Sequence, residues 1–147
     1  MIRKSGVALL SSALLVMGLA TSAMATDTPS SGLGQSWPNA TDVSANPHWH
    51  VYVFDKDGIR YVQVNDLNGS VHGAIATAGG QVLVLPIGSD SQNVSTATST
   101  TTGTSSQTVY SDSQVTISAT PLSTGATQLT VTATCTGDPL ECNTHLN

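Results

Sequence analysis

The chain is predicted to fold as an all-β domain: a small antiparallel sandwich or rolled sheet of about six to seven strands, built from three hairpins after a signal peptide. Three observations predict it. Short apolar and β-branched runs alternate with turn residues from position 48 onward. The segments "QVTISAT" and "QLTVTAT" alternate with a period of two, and no stretch beyond the leader carries an apolar stripe at helical spacing.

The first 25 residues read as a secretory signal. Arg3 and Lys4 supply the positive start, Gly6 to Ala20 an apolar segment too short for a comfortable membrane span, and Ala23-Met24-Ala25 a small-residue cleavage site. Cleavage after Ala25 leaves residues 26–147, enough for about one domain and with no membrane span expected. Residues 26–47 are rich in Ser, Thr, Gly, Pro and Asn, and read as a flexible N-terminal arm pinned by Trp37. Residues 48–147 form the single β domain.

Its first hairpin joins His48–Phe54 to Ile59–Asn65 through "DKDG", where Gly58 suits a tight turn. Two registers are open. With Phe54 opposite Ile59, the residues Trp49, Val51, Val53, Val62 and Val64 share a face; a bulge at Gly58 groups Trp49, Val51 and Val53 with Ile59 and Tyr61. The second hairpin joins "SVHGAIAT" to "QVLVLPIG" around Gly79-Gly80. The run Val82–Leu85 is expected to be covered on both sides, and Gly73, Ala74 and Ala76 leave room for close approach by another layer or subunit. Pro86 marks the end of pairing.

Residues 89–107 are Ser/Thr-rich with hardly an apolar anchor, and read as a linker or long loop. "SDSQ" occurs at Ser89 and again at Ser111, a recurrence that composition accounts for. In the third hairpin Val115, Ile117 and Ala119 are placed to meet Leu129, Val131 and Ala133. The closing "CTGDPLEC" predicts a Cys135–Cys142 disulfide, because an exported chain meets an oxidising compartment and Gly137, Asp138 and Pro139 let the ends turn back. So small a loop stabilises by roughly 2.5 kcal/mol.

Charge excludes one class of function. Without the leader, Lys56 and Arg60 stand against nine acids, a net charge of −7, and phosphate backbones would be repelled. His48 and His50 leave a strand from one face about 6 to 7 Å apart. With His72 from a neighbouring strand they are the candidate ligands for copper or zinc. "DKDG" lacks the further oxygen ligands of a calcium loop. The chain has no G-x-S-x-G elbow, and its one Glu, Glu141, lies within the predicted disulfide loop, so no enzyme is expected and no catalytic residue is assigned. The aromatic hairpin offers another chemistry. Trp49, Tyr52, Phe54 and Tyr61, with Arg60, have the composition of a protein-binding surface, for a partner or for self-association through the first two hairpins. The competing expectation for that surface is a further layer of the same chain.

The block "HWHVYVFDKDGIRYVQVNDLNGSVHGAIATAGGQVLVLPIGSD", with "GDPLEC", resembles small, uncharacterised exported proteins of Gram-negative bacteria. The resemblance implies periplasmic or secreted residence and brings no activity, ligand or catalytic residue with it. The expected protein is therefore an acidic, exported, non-enzymatic binding or structural module, with a copper- or zinc-binding protein as the alternative.

Overall fold

The computed structural model describes residues 30–97 and 105–134. The signal peptide at 1–25 and the Cys135–Cys142 pair lie outside the described residues. Within them the protein is all-β, with two sheets of four strands. Sheet 1 is an antiparallel meander of β1 (Trp49–Lys56), β2 (Ile59–Asp66), β3 (Val71–Ala78) and β4 (Gln81–Leu85). Sheet 2 contains β5 (Val94–Ala97), β6 (Gln107–Ser111), β7 (Val115–Pro121) and β8 (Thr127–Ala133) in the order β5-β8-β7-β6, with β5 parallel to β8 and the other pairs antiparallel.

The described residues hold eight strands rather than six or seven, and β5 and β6 are the additions. β5 lies inside the Ser/Thr-rich stretch read as a linker and β6 begins at its end. Thr suits a pleated surface, and a strand with a single apolar anchor, Val94, can be held by ladder bonds to β8. The third hairpin pairs as expected, with Val115 opposite Ala133, Ile117 opposite Val131 and Ala119 opposite Leu129.

The sheets face each other across an apolar core. Val51, Val62, Val64 and Ile75 of sheet 1 meet Val109, Val115, Ile117, Ala119, Leu129 and Val131 of sheet 2. The β1–β2 turn fixes which side chains point inward. It consists of Asp57 and Gly58 alone, with φ of 53° and 79°, the positive pair that a two-residue turn between twisted strands requires. Asp55 and Lys56 therefore belong to the strand, Phe54 opposes Tyr61, and neither anticipated register holds. The inward grouping of Trp49, Val51, Val53, Val62 and Val64 does hold, because Val51 opposes Val64 and Val53 opposes Val62.

Close approach of the layers falls at Gly73. A Cβ there would lie 2.7 Å from Leu129 Cδ1 and 2.9 Å from Val94 Cγ2, so the missing side chain is what lets β3 meet sheet 2. The run Val82–Leu85 corrects another expectation. It forms an edge strand with Val82, Val84 and Leu85 half-buried, while Leu83 is 63 % exposed on the outer side.

The outer face of sheet 1 carries His50, Tyr52 and Phe54 beside Asn65, Gln63 and Tyr61. Residues 30–45 lie against this face. Gly34 N–H donates to Gln63 Oε1 at 2.6 Å, and Gln63 Nε2 donates to Gln35 O at 2.8 Å. Asn65 Nδ2 donates to Ser36 O at 2.9 Å. Further along, the same segment reaches the lateral side of the sandwich: Val43 N–H donates to Val51 O and Ala45 N–H to Val109 O. It thus bonds to β1 of one sheet and β6 of the other.

Candidate functional site

Three clusters hold the chemistry-bearing side chains, and each is organised by an aspartate that also accepts at least one backbone N–H group. The first is on the outer face of sheet 1. His50 Nδ1 lies 2.6 Å from Asp42 Oδ2, while Asp42 Oδ1 accepts from Val51 N–H and Ser44 N–H, both at 3.0 Å. The His50 ring meets Trp37 edge-on at 5.5 Å and stacks with Tyr52 at 6.2 Å. Partial burial works to raise the Asp42 carboxyl, but the bonds from His50, Val51 and Ser44 outweigh it and leave the group below its ordinary value. Burial, followed by the Asp42 charge, pushes the Tyr52 hydroxyl up.

The second cluster sits between the sheets. A bulge between β2 and β3 leaves His72 as an extra residue, with Asn65 paired to Val71 and Val64 to Gly73. Bulges re-aim side chains. His72 Nδ1 consequently lies 2.6 Å from Asp90 Oδ2, with Nε2 3.5 Å from Asp66 Oδ2 and the Trp49 ring edge-on at 5.2 Å. Asp90 Oδ2 also accepts from Thr127 N–H, at the start of β8, at 3.1 Å. One carboxylate thus ties β3 to sheet 2. For Asp66, burial raises the carboxyl, and bonds from Ser70 N–H, Asn68 N–H and His72 overcome it, for a net lowering.

In the third cluster Arg60 of β2 donates to Asp55 at 2.9 Å and to Asp112 Oδ2 at 3.1 Å. Tyr110 O–H donates to the same Oδ2 at 2.8 Å, and Asp112 Oδ1 accepts from Gln114 and Val115 N–H, both at 2.7 Å. Burial and the bond to Asp112 push the Tyr110 hydroxyl up to about 12. Burial raises Asp112, but its four donors reverse this and hold it below the ordinary value.

No family model, curated protein or solved structure matches the chain. The geometry alone therefore bears on the sequence-derived sites. His48, His50 and His72 do not come together. His50 lies on the outer face with Asp42, His72 points between the sheets to Asp90, and His48 is exposed ahead of β1. Among the described residues no group of three or more His, Cys, Asp or Glu side chains is arranged to hold a metal ion. The aromatic set is also divided. Tyr52 and Phe54 are only 6 % and 5 % exposed, Trp49 packs on His72, Arg60 bridges the sheets, and Tyr61 is half-buried. Another part of the same chain covers much of the face read as a partner surface.

What the sequence reasoning missed is the role of the aspartates. Asp90 and Asp112 each bind a basic side chain of sheet 1 from the margin of sheet 2, Asp90 while accepting the distant Thr127 N–H and Asp112 while accepting two N–H groups of its own turn. Asp42 and Asp66 make comparable ties in other sequence contexts, so no motif marks the role.

The depressed carboxylates give the fold an acid limit. Asp42, Asp66 and Asp112 all lie below the ordinary value of 3.8, so below that pH the unfolded chain binds more protons than the folded one. Their contribution is complete above 3.8 and is lost as pH falls through the folded values. Melting temperature should be level with respect to these groups near pH 6 and drop from about pH 4 downward, with Asp112→Asn flattening the drop. An unchanged acid slope in that variant would show that Asp112 carries none of it.

Proposed function

We propose that this is an exported, non-enzymatic binding module, resident in the periplasm or secreted, that docks a protein partner at the β4 edge of sheet 1, which none of the described residues covers. The observation that carries the reading is the asymmetry between the two lateral sides of the sandwich. On one side residues 42–45 bond to both β1 and β6. On the other, β4 presents "QVLVL", an uncharged edge with Leu83 63 % exposed. Edge strands are usually blunted by charge, proline or a covering segment, since a row of unpaired backbone groups is a template for another strand. Here the strand itself carries none of these, and strand addition is a standard mode of peptide recognition.

The histidines support the non-enzymatic part. Each of the two that meets a carboxylate meets one already bonded to a backbone N–H, Val51 for Asp42 and Thr127 for Asp90, which are positions of structural ties. The signal sequence and the acidic charge support export and argue against nucleic acid. No helix among the described residues is long and apolar enough to cross a membrane.

A photoreactive side chain at position 83 tests the reading in an exporting host. It should form a discrete crosslinked adduct, and the same group at Lys56, beside the β1–β2 turn, should not. Val84→Pro removes a backbone donor of β4 that is not needed for pairing with β3, and should abolish the adduct while leaving the melting temperature within about 2 °C. Equal crosslinking from both positions, or an adduct indifferent to Val84→Pro, would overturn strand addition at β4.

A further inference from the structure

The pairing pattern of β4 narrows the occupant of this edge, on the reading just given. β3 and β4 are joined by the two-residue turn Gly79-Gly80, with Ala78 opposite Gln81. In such a hairpin the pair flanking the turn is hydrogen-bonded, and bonded and non-bonded pairs then alternate. Gln81, Leu83 and Leu85 therefore spend their N–H and C=O groups on β3, while those of Val82 and Val84 point away from it. Among the described residues no backbone hydrogen bond from another segment reaches either one. Pro86 has no N–H, so the outward donor series stops after Val84.

Two outward residues spaced by two define a self-complementary register. If a second β4 lies antiparallel across a two-fold axis at Leu83, Val82 faces Val84 of the other copy and Val84 faces its Val82. Each such pair exchanges two backbone bonds, so all four outward groups of each chain are used. Shifting the axis to Val84 sets Val82 against Pro86 and loses a donor, and shifting it to Val82 sets Val84 against Gly80 in the turn. The Leu83 axis is the register that wastes nothing. It also makes Leu83 oppose its own copy as a non-bonded pair, where the side chains of an antiparallel ladder come closest, on the outer face where Leu83 is exposed.

Charge favours the same occupant. Two copies of an acidic chain repel over most of their surfaces, but neither β4 nor the Gly79-Gly80 turn carries a charge. We infer that the protein forms a two-fold symmetric dimer through antiparallel β4–β4 pairing centred on Leu83, joining two four-stranded sheets into one of eight strands. The contact is isologous and closes on itself, so it ends at two chains. Five residues a side is small for an interface, and the association is weak and concentration-dependent.

Sedimentation of the chain recovered from an exporting host, over about 5 to 500 µM, should show the average mass rising from one chain toward two and no further. Because position 83 faces itself across the axis, Leu83→Lys and Leu83→Glu should each remain monomeric at every concentration through like-charge opposition. Mixing the two variants should restore dimers, as a heterodimer with opposite charges at the axis, while their circular dichroism and melting temperatures match the parent. A parent chain that stays monomeric overturns the dimer, and so does a mixture that fails to associate or a mass that climbs past two. A closing of the edge by residues 98–104 or 135–147 of the same chain would appear as a monomer whose Val82 and Val84 amides resist exchange, and would also overturn it. The underlying reading fails separately: it survives a monomeric parent if the position-83 adduct with another protein is abolished by Val84→Pro, and it falls with the dimer if that adduct is absent.

Discussion

Replacing Asp90 with alanine is expected to lower folding stability by about 3 kcal/mol, because the side chain holds two elements from opposite sheets at once. Its carboxylate is 8 % exposed and the His72 side chain 15 %, so solvent does little to replace what is removed. Truncation strands His72 Nδ1, 2.6 Å from where its partner was, with only Asp66 left 3.5 Å from Nε2, and leaves the Thr127 N–H without its acceptor. For a domain of this size the melting temperature should fall by about 12 °C or more. Asp42→Ala is the informative control. Asp42 makes an equivalent His contact, also at 2.6 Å, and accepts two backbone N–H groups, but its side chain is 36 % exposed and water can take over. That variant should lose about 1 kcal/mol. Thermal melts at pH 7 decide the matter. Equal losses would mean that burial does not set the worth of these pairs, and a loss below 1 kcal/mol for Asp90→Ala would remove the inter-sheet tie from the account of stability.

The legible part of this fold was the part written in side-chain alternation. The third hairpin follows from residues at single-step alternation, and the existence of the β1–β2 hairpin from the turn preference of "DKDG", but the two-residue turn with positive φ at both Asp57 and Gly58 was not read there, and it shifts the register. β5 was hidden because its pairing is parallel to a strand far along the chain and rests on ladder bonds, which leave no mark in a Ser/Thr sequence. The run Val82–Leu85 misled for a related reason. An apolar run resembles a strand covered on both faces, yet an edge position exposes one of its members, and only the sheet order distinguishes the two. The aspartate ties left no mark of this kind, because what each acid binds depends on the bulge that turns His72 inward and on the register that brings Arg60 beside the β6–β7 turn. Residues 30–45 show the converse. Polar composition removed the expectation of a core role, whereas their carbonyl groups and N–H groups are the partners of two fully buried amides.

Those amides set the second large effect. Gln63 and Asn65 are adjacent on the outer face of β2, each is 0 % exposed, and Gln63 Nε2 also donates to Asn65 Oδ1 at 2.8 Å. Gln63→Ala should cost about 3 kcal/mol, since it strands Gly34 N–H, Gln35 O and Asn65 Oδ1 together. Asn65→Ala should cost about 2 kcal/mol through Ser36 O and the Gln63 amide. The double variant should fall short of the additive loss by about 1 kcal/mol or more, because the two amides hold one segment: once residues 34–36 have left the sheet and found water, the second truncation has less to break. Limited proteolysis separates this from general destabilisation. Cleavage between residues 30 and 45 should accelerate in either single variant under conditions where the β7–β8 hairpin stays protected, as expected for local opening. Additive losses with uniform cleavage would mean that the segment unfolds only with the whole domain. The same experiment isolates the two surfaces of sheet 1: opening the segment uncovers the outer face around Gln63 and Asn65 but leaves the β4 ladder intact, so self-association through Leu83 should persist in the Gln63 variant.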